Sequence, residues 1–482
     1  MDGVERRAAR VAGSARLTRT SHGNAELASD RLGVPAVVFF VMSGIAPLTV
    51  AAGVVTTAYA VTGLTAIPAA FIVTAVVLGL FSVGYVAMAR HVTNAAALYA
   101  FVTRGLGRLA GYGAALVALV AYNLLQVGLY GAFGPAAAGY AADKLDLHAP
   151  WWVWALGAWA LVAMLGLLRV DIKGWVLGVL VTTEVLVVVG LAVSGLRHPA
   201  GGRLSFATLA PSELVGSGVG AAVVIAVLGY VGFEGAAVLA EEARHRRRTV
   251  PVATYVSLGL IAVVYAGASW AMAAHYGDDR VAGLAQAQGP ATLFALGGHL
   301  LSEAAQILYL TSLFAAMLAF HTVVSRYLFG LGRDAVLPAM LARTGRNGSP
   351  WLASLGQSCL GVAVIVLYAV AGWDPMVHLF FWLGTTGGFG VLLLLAVTSL
   401  AAVAFFARTP TTESWWHRAG APGLASAILA VMIWLAVRNY ATLLGVLPGS
   451  PASRWLPALY LVTALAGACW ALSGPRHRRE RA

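Results

Sequence analysis

Leu228-Gly229-Tyr230-Val231-Gly232-Phe233-Glu234-Gly235 sets three glycines and a carboxylate in the middle of an otherwise apolar run. Glycine weakens a helix interior and an ionisable group is costly inside a lipid-spanning one, so the stretch predicts a helix interrupted halfway along. Val41-Met42-Ser43-Gly44-Ile45-Ala46-Pro47-Leu48-Thr49 has the same character: a proline, with no N–H to donate, follows a flexible glycine. Unwound backbone is expected around residues 43 to 47. The surroundings are set by composition. The 482 residues are 60% hydrophobic and 10% charged, against about 25% charged in a soluble domain. A water-soluble core cannot cover so much apolar chain, and no polar linker of the kind that divides long soluble chains is present. One integral membrane domain follows.

Apolar runs of the roughly twenty residues that cross a bilayer fall near residues 34 to 60, 66 to 88, 112 to 141, 151 to 169, 174 to 196, 217 to 239, 252 to 276, 302 to 331, 353 to 372, 377 to 406, 422 to 440 and 457 to 473. Continuous runs of this length are helices, because lipid-exposed backbone must satisfy its own hydrogen bonds and barrel strands alternate over about ten residues. The expected fold class is an all-α membrane protein with twelve transmembrane helices. The two interruptions fall in the first and sixth, the pattern of a transporter built as a 5+5 inverted repeat. The expected division is a tail over 1–33, a core over 34–410 with repeats at about 34–196 and 217–406, two peripheral helices within 411–473, and a basic tail over 474–482.

Cytoplasmic loops retain Lys and Arg. With both termini cytoplasmic, that side collects all 31 Lys and Arg residues except Lys144, Arg197, Arg203, Arg280, Arg438 and Arg454. A multi-pass protein of the inner (cytoplasmic) membrane is expected. The net charge of +12 then reflects orientation in the bilayer, and no nucleic-acid partner is expected. The first thirty residues are Arg-rich without an apolar h-region, so no cleaved signal peptide is expected. Cys359 and Cys469 both lie inside spans, which offers neither a disulfide framework nor a zinc site. No Walker-type, nucleophile-elbow or metal-ligand spacing occurs. The reading is therefore not an enzyme, with no metal and no cofactor.

A broken helix leaves unpaired N–H groups at one half-helix end and unpaired C=O groups at the other, and these can hold a carboxylate and an ammonium without burying protein charge. The bland alternative is that Gly and Pro serve only close packing or a kink. Two breaks at matching positions favour transport over a membrane-embedded enzyme, a channel or a sensor.

The residues resemble a known family at this point. Gly232-Phe233-Glu234, running into Glu241-Glu242-Ala243-Arg244 and then Arg247-Arg248-Thr249-Val250-Pro251, is similar to the sixth-to-seventh-helix stretch of the amino acid/polyamine/organocation permeases. Ser43-Gly44-Ile45 resembles their first-helix break, Asn94 to Gly111 the loop before their third helix, and Ser325-Arg326-Tyr327 with Arg333-Asp334 the end of their eighth. The resemblance implies that the backbone at Ser43, Gly44, Ile45 and Ala46 receives a substrate carboxylate. The carbonyls near Gly229, Tyr230 and Gly232 would receive its amino group, and Tyr230 or Phe233 would form an aromatic gate. It implies a secondary active transporter moving an amino acid or related small amine by alternating access. Ala46-Pro47-Leu48 departs from the larger apolar residues that many relatives carry there, so pocket shape does not carry over.

Two carboxylates lie deep in spans, where an ionisable group costs at least about 2.5 kcal/mol to place. Glu234 matches the family's sixth-helix glutamate, which the resemblance implies is a protonatable part of the gate. Glu184, in Val181-Thr182-Thr183-Glu184-Val185, falls where some proton-coupled relatives resemble one another in carrying a lysine; here the sign is reversed. It can carry a proton, ligate a cation or form half of a buried pair. Protons are the expected coupling ion. Sodium ranks second because Phe314-Ala315-Ala316 of the eighth span lacks hydroxyls; exchange of substrate and product is the other alternative. Tyr122 and Gln126 share a face of the third span with Asn123 and Tyr130 and are read as a pocket wall, a place that interhelical hydrogen bonding explains equally well. His321, a lone histidine in the eighth span, is read as structural.

Overall fold

The computed structural model describes residues 31–167, 170–216, 218–345 and 348–473. The basic tails and, in the charge census, Arg169 and Arg346 lie outside the described residues. Among the described residues the protein is all helical, and its one β-type pairing is a bridge between Leu32 and Ala243. Eleven of these helices are long and apolar enough to span a bilayer. They are α1 (Val34–Thr62), α2 (Ile67–His91), α3 (Arg108–Leu145), α5 (Val170–Arg197), α6 (Val219–Val238), α7 (Arg246–Tyr276), α8 (His299–Arg333), α9 (Trp351–Ala371), α10 (Pro375–Arg408), α11 (Trp416–Arg438) and α12 (Pro451–Ser473). The remaining predicted span is shorter: α4 covers Trp151–Gly166, 16 residues, or about 24 Å at 1.5 Å per residue.

Each helix buries according to its neighbours. α1 and α6 are almost wholly enclosed, while α12 shows most of its apolar surface to the outside. α3, at 38 residues, runs through the molecule and packs against α4, α8, α10 and α12. Small residues let it do so: a Cβ at Gly131 would come within 2.6 Å of the Pro375 carbonyl, and one at Gly113 within 3.1 Å of the Ala464 carbonyl. α1 lies against α5, α7 and α8. Three stretches widen to π-helix, Val50–Val54 in α1, Pro375–Trp382 opening α10 and Trp416–Gly420 opening α11. The second is capped by Asp374, whose carboxylate accepts the Val377 N–H at 2.8 Å.

Both predicted interruptions are present. α1 breaks at a single residue, Ala46, in the left-handed region (φ 53°, ψ 75°), with Ser43 to Ile45 still helical, a narrower break than the stretch 43 to 47 read from the sequence. α6 unwinds between Tyr230 and Gly235, where Val231 is extended (φ −57°, ψ 130°) and Gly232 has φ 113°.

Candidate functional site

The break in α1 follows from Pro47. Proline excludes the residue before it from the right-handed helical region and supplies no N–H of its own, so Ala46 is thrown out and the pairing across it is lost. The freed groups find partners on other helices. The Thr49 N–H donates to Ser312 Oγ of α8 at 3.2 Å, and the Thr49 hydroxyl lies 3.0 Å from the same oxygen. The Ile45 carbonyl accepts from the Tyr265 hydroxyl of α7 at 3.4 Å.

The break in α6 is held by its own carboxylate. Glu234 Oε2 accepts the Gly232 N–H at 2.9 Å, and Oε1 accepts the Tyr122 hydroxyl of α3 at 2.8 Å. The Tyr85 hydroxyl of α2 donates to the backbone carbonyl of Glu234. Such donors lower the cost of burying a carboxylate. The two breaks touch: a Cβ on Gly232 would stand 3.2 Å from the Gly44 carbonyl carbon and 3.3 Å from the Ile45 nitrogen.

Beside this junction lies a cavity of about 120 Å³. Gly44, Ile45, Ala46, Thr49 and Val50 of α1 form one wall, and Ile225, Leu228 and Val231 of α6 the next. Leu125 and Leu129 of α3, Ala316 and Phe320 of α8, and Phe380, Phe381, Gly384 and Thr385 of α10 close it. Its lining holds no charged side chain; its polar contributions are the hydroxyls of Thr49, Thr57 and Thr385 and the backbone of the breaks. The first two π-helical stretches border it through Val50, Gly53, Val54, Phe380 and Phe381, and the third does not. Such bulges are frequent at functional sites because the widened turn presents backbone groups that an α-helix hides. A second void of about 10 Å³ lies between Tyr122, Gly232 and Glu234, and Gly44 and Phe320 border both.

The sequence-predicted residues divide. Gly44, Ile45 and Ala46 line the cavity, and Tyr122, Gly232 and Glu234 line the smaller void. Ser43 is fully buried and its hydroxyl donates to the Phe39 carbonyl at 2.7 Å. Gly229 packs against Phe71 and Val50, where a Cβ would meet atoms at 3.0 Å. The aromatic gate expected at Tyr230 or Phe233 points elsewhere: the Tyr230 hydroxyl donates to the Phe71 carbonyl at 3.0 Å, and the Phe233 ring packs edge-on against Phe81 at 5.9 Å. Both rings are sent toward α2 by the rotation of α6, and Phe320, Phe380 and Phe381 supply the aromatic surface instead. Gln126 lies outside both voids. It accepts from Gln357 Nε2 and meets His321 Nδ1 at 3.4 Å, while His321 Nε2 meets Ser354 Oγ at 2.8 Å. That chain ties α3, α8 and α9 together, so Gln126 belongs to an interhelical network. Asn123 likewise turns inward on its own helix, donating to the Leu119 carbonyl at 2.7 Å.

Glu184 of α5 is fully buried beside the α1 break, and among the described residues neither of its oxygens has a hydrogen bond of normal length. The Ser312 hydroxyl and the Leu48 backbone are the polar groups that face it. Ser312 corrects one expectation: a hydroxyl of α8 does reach the break, two residues before the segment in which the sequence reading looked for one.

Past the smaller void, the end toward residues 31, 94, 241 and 334 is closed by charge. Arg326 grips Glu242 with two bonds of 2.7 and 2.9 Å, both side chains nearly inaccessible. Arg333 holds Glu241 at 2.6 and 2.9 Å, and Glu241 also accepts the Ala95 N–H at 3.0 Å. Asn94 donates to Asp334 at 2.8 Å. The Arg31 and Leu32 N–H groups both donate to the Glu242 carbonyl, which lays the start of α1 across the same spot. Three separate motif segments of the sequence therefore converge on one cluster.

Comparison with known proteins places this geometry. A family model described as amino acid permease matches residues 32–467. The branched-chain amino acid permease BcaP of Lactococcus lactis is 29% identical over 153 residues, a match that spans 32% of this chain and 32% of that relative's length. Among solved structures, the Eremococcus coleocola manganese transporter bound to an aromatic bis-isothiourea compound superposes with a TM-score of 0.58 at 15% identity, over 90% of this chain and 94% of that one. A mutant of the same transporter gives 0.56 at 15% identity with the same coverage. At these identities the likeness is one of fold. With a permease model covering nearly its whole length and the transporter fold around two broken helices, the chain belongs to the amino acid permease family, within the amino acid/polyamine/organocation superfamily.

Proposed function

We propose that this membrane transporter moves a neutral amino acid with an aliphatic side chain by alternating access, driven by protons. The observation that carries the reading is the contact between the two breaks at the wall of the cavity. Their backbone groups serve a zwitterion's charged ends, and the lining of Leu, Ile, Val and Phe serves an apolar side chain without offering an ion partner to a charged one. The match to a branched-chain amino acid permease points the same way. With the positive-inside orientation, Thr57 and Leu443 mark the exterior side of the cavity lining, and the Arg326–Glu242 cluster is the closed cytoplasmic gate. Phe320, bordering both voids, is the inner side of the substrate chamber.

Glu184 carries the coupling proton. A carboxyl fully buried without a counter-charge is stable in its neutral form, and substrate-linked rearrangement at Ala46 to Thr49 changes its surroundings. Glu234, already engaged by Gly232 and Tyr122, fixes the α6 break and responds when the gate moves.

The experiment is uptake of labelled leucine, isoleucine and valine by proteoliposomes under an imposed pH gradient. Wild type accumulates label and a protonophore abolishes accumulation; Glu184→Gln retains exchange of internal for external label but loses concentrative uptake. Unchanged accumulation by that variant removes Glu184 from the coupling. A second reading has a specific basis: the Ser312 hydroxyl facing Glu184, with the Thr49 hydroxyl 3.0 Å from it, offers the hard oxygen donors a sodium ion takes. Accumulation that needs a sodium gradient and survives the protonophore selects it.

A further inference from the structure

On the side away from the substrate cavity, α3, α10, α11 and α12 leave a lateral cleft of about 770 Å³. Its floor is the close approach of α3 and α12 at Gly113 and Ala464. Phe389, Leu393, Ile433 and Leu461 make up much of the walls, and of all the lining residues only Arg454 and Tyr460 carry polar side-chain groups. The Tyr460 hydroxyl is already spent, donating to the Thr386 carbonyl at 2.7 Å. Arg454 is exposed and has no ion pair among the described residues. It stands at the end of the cleft where α11 and α12 are joined, and Arg438 lies at the same end, stacked over Trp434 at 4.4 Å.

We infer that this cleft is a binding site for an anionic phospholipid, with one acyl chain along the groove and the phosphate on Arg454. Length supports the fit. Lining residues on α12 run from Arg454 to Ala468, about 21 Å of helix at 1.5 Å per residue, enough for a chain that crosses one leaflet of about 15 Å and ends in its headgroup region. Charge supports the sign: Arg454 lines one end of an otherwise apolar slot, Arg438 follows the lining residue Val437, and residues 414–473 contain no Asp or Glu to neutralise them. That absence also argues against a second copy of the chain seated here by two-fold symmetry, since the self-complementary face would bring arginine and no acid. A phosphate supplies what the protein withholds, and Arg is the side chain suited to it.

Native mass spectrometry of the purified full chain tests this, after equilibration with micelles containing either palmitoyl-oleoyl phosphatidylglycerol or the matching phosphatidylcholine. Wild type should retain the glycerol lipid about tenfold more than the choline lipid. Arg454→Gln should reduce it to the choline level, and Arg454→Lys should keep most of the preference. Ala464→Trp, which fills the floor, should lower retention of the glycerol lipid while the protein stays monodisperse. Equal retention of both lipids by wild type overturns the inference, as does an unchanged preference in Arg454→Gln. A dimer that ignores headgroup charge and dissociates on Ala464→Trp assigns the cleft to a second copy and equally overturns it.

Discussion

Gly232 is fixed by two independent facts, a backbone angle (φ 113°) that side chains rarely adopt and the approach of Gly44 and Ile45 to within 3.2 and 3.3 Å of where a Cβ would be. Gly232→Ala is therefore expected to cost about 1–3 kcal/mol and to push the two breaks apart. Thermal unfolding of the purified protein should fall by several degrees and uptake should collapse, whereas Gly235→Ala, whose Cβ meets nothing within 4 Å, should leave both nearly intact. The interest of Gly232 and Glu234 is legible in the sequence because glycine and carboxylate are conspicuous in an apolar run. Phe320, Phe380 and Phe381 are not, because an aromatic residue among Leu and Val reads as core whether it faces a neighbour or a cavity. Tyr230 fails in the opposite way. It has the right chemistry in the right place along the chain, and only the rotation of α6 about its axis decides that its hydroxyl goes to Phe71.

The helices show the same division between what local chemistry dictates and what packing adds. The α1 break is a consequence of Pro47 and could be placed within a few residues, yet its narrowing to Ala46 depends on Ser312 and Tyr265 arriving from α8 and α7 to take up the Thr49 N–H and the Ile45 carbonyl. The π-helical stretches beside the cavity leave no composition signal at all. The ion-paired end was legible as motif segments without their meeting. Removing one partner of a buried pair of this kind costs about 3–5 kcal/mol, because the other charge is left unmatched. Under the proposed alternating access, Glu242→Gln is thus expected to favour the state in which this end is open. A cysteine introduced near the smaller void, at Val323→Cys, should become reachable by a cytoplasmic thiol reagent in that variant and stay protected in wild type. The double variant with Arg326→Gln should recover part of the lost stability, a coupling that a double-mutant cycle measures.

At the level of the whole molecule, the fold class and the spans followed from hydropathy alone, with the exception that α4 is shorter than a full crossing. The arginine pattern carries the proposed orientation, and it is checked directly. In a chain with Cys359→Ser and Cys469→Ser, Asp146→Cys should react with a membrane-impermeant maleimide on intact cells, and Thr412→Cys should react only after the cells are broken. The reverse order of labelling inverts the orientation. The charged cluster also bears on how the chain is made. Glu242 precedes Arg326 by 84 residues and Glu241 precedes Arg333 by 92, so both acids are synthesised long before the guanidinium groups that match them. A nascent chain that has delivered seven helices still lacks the guanidinium partners of both carboxylates, although the Ala95 N–H that Glu241 accepts is already made. The ion-paired arrangement of this end is consequently completed late in biogenesis, only after the segment carrying Arg326 and Arg333 has been made.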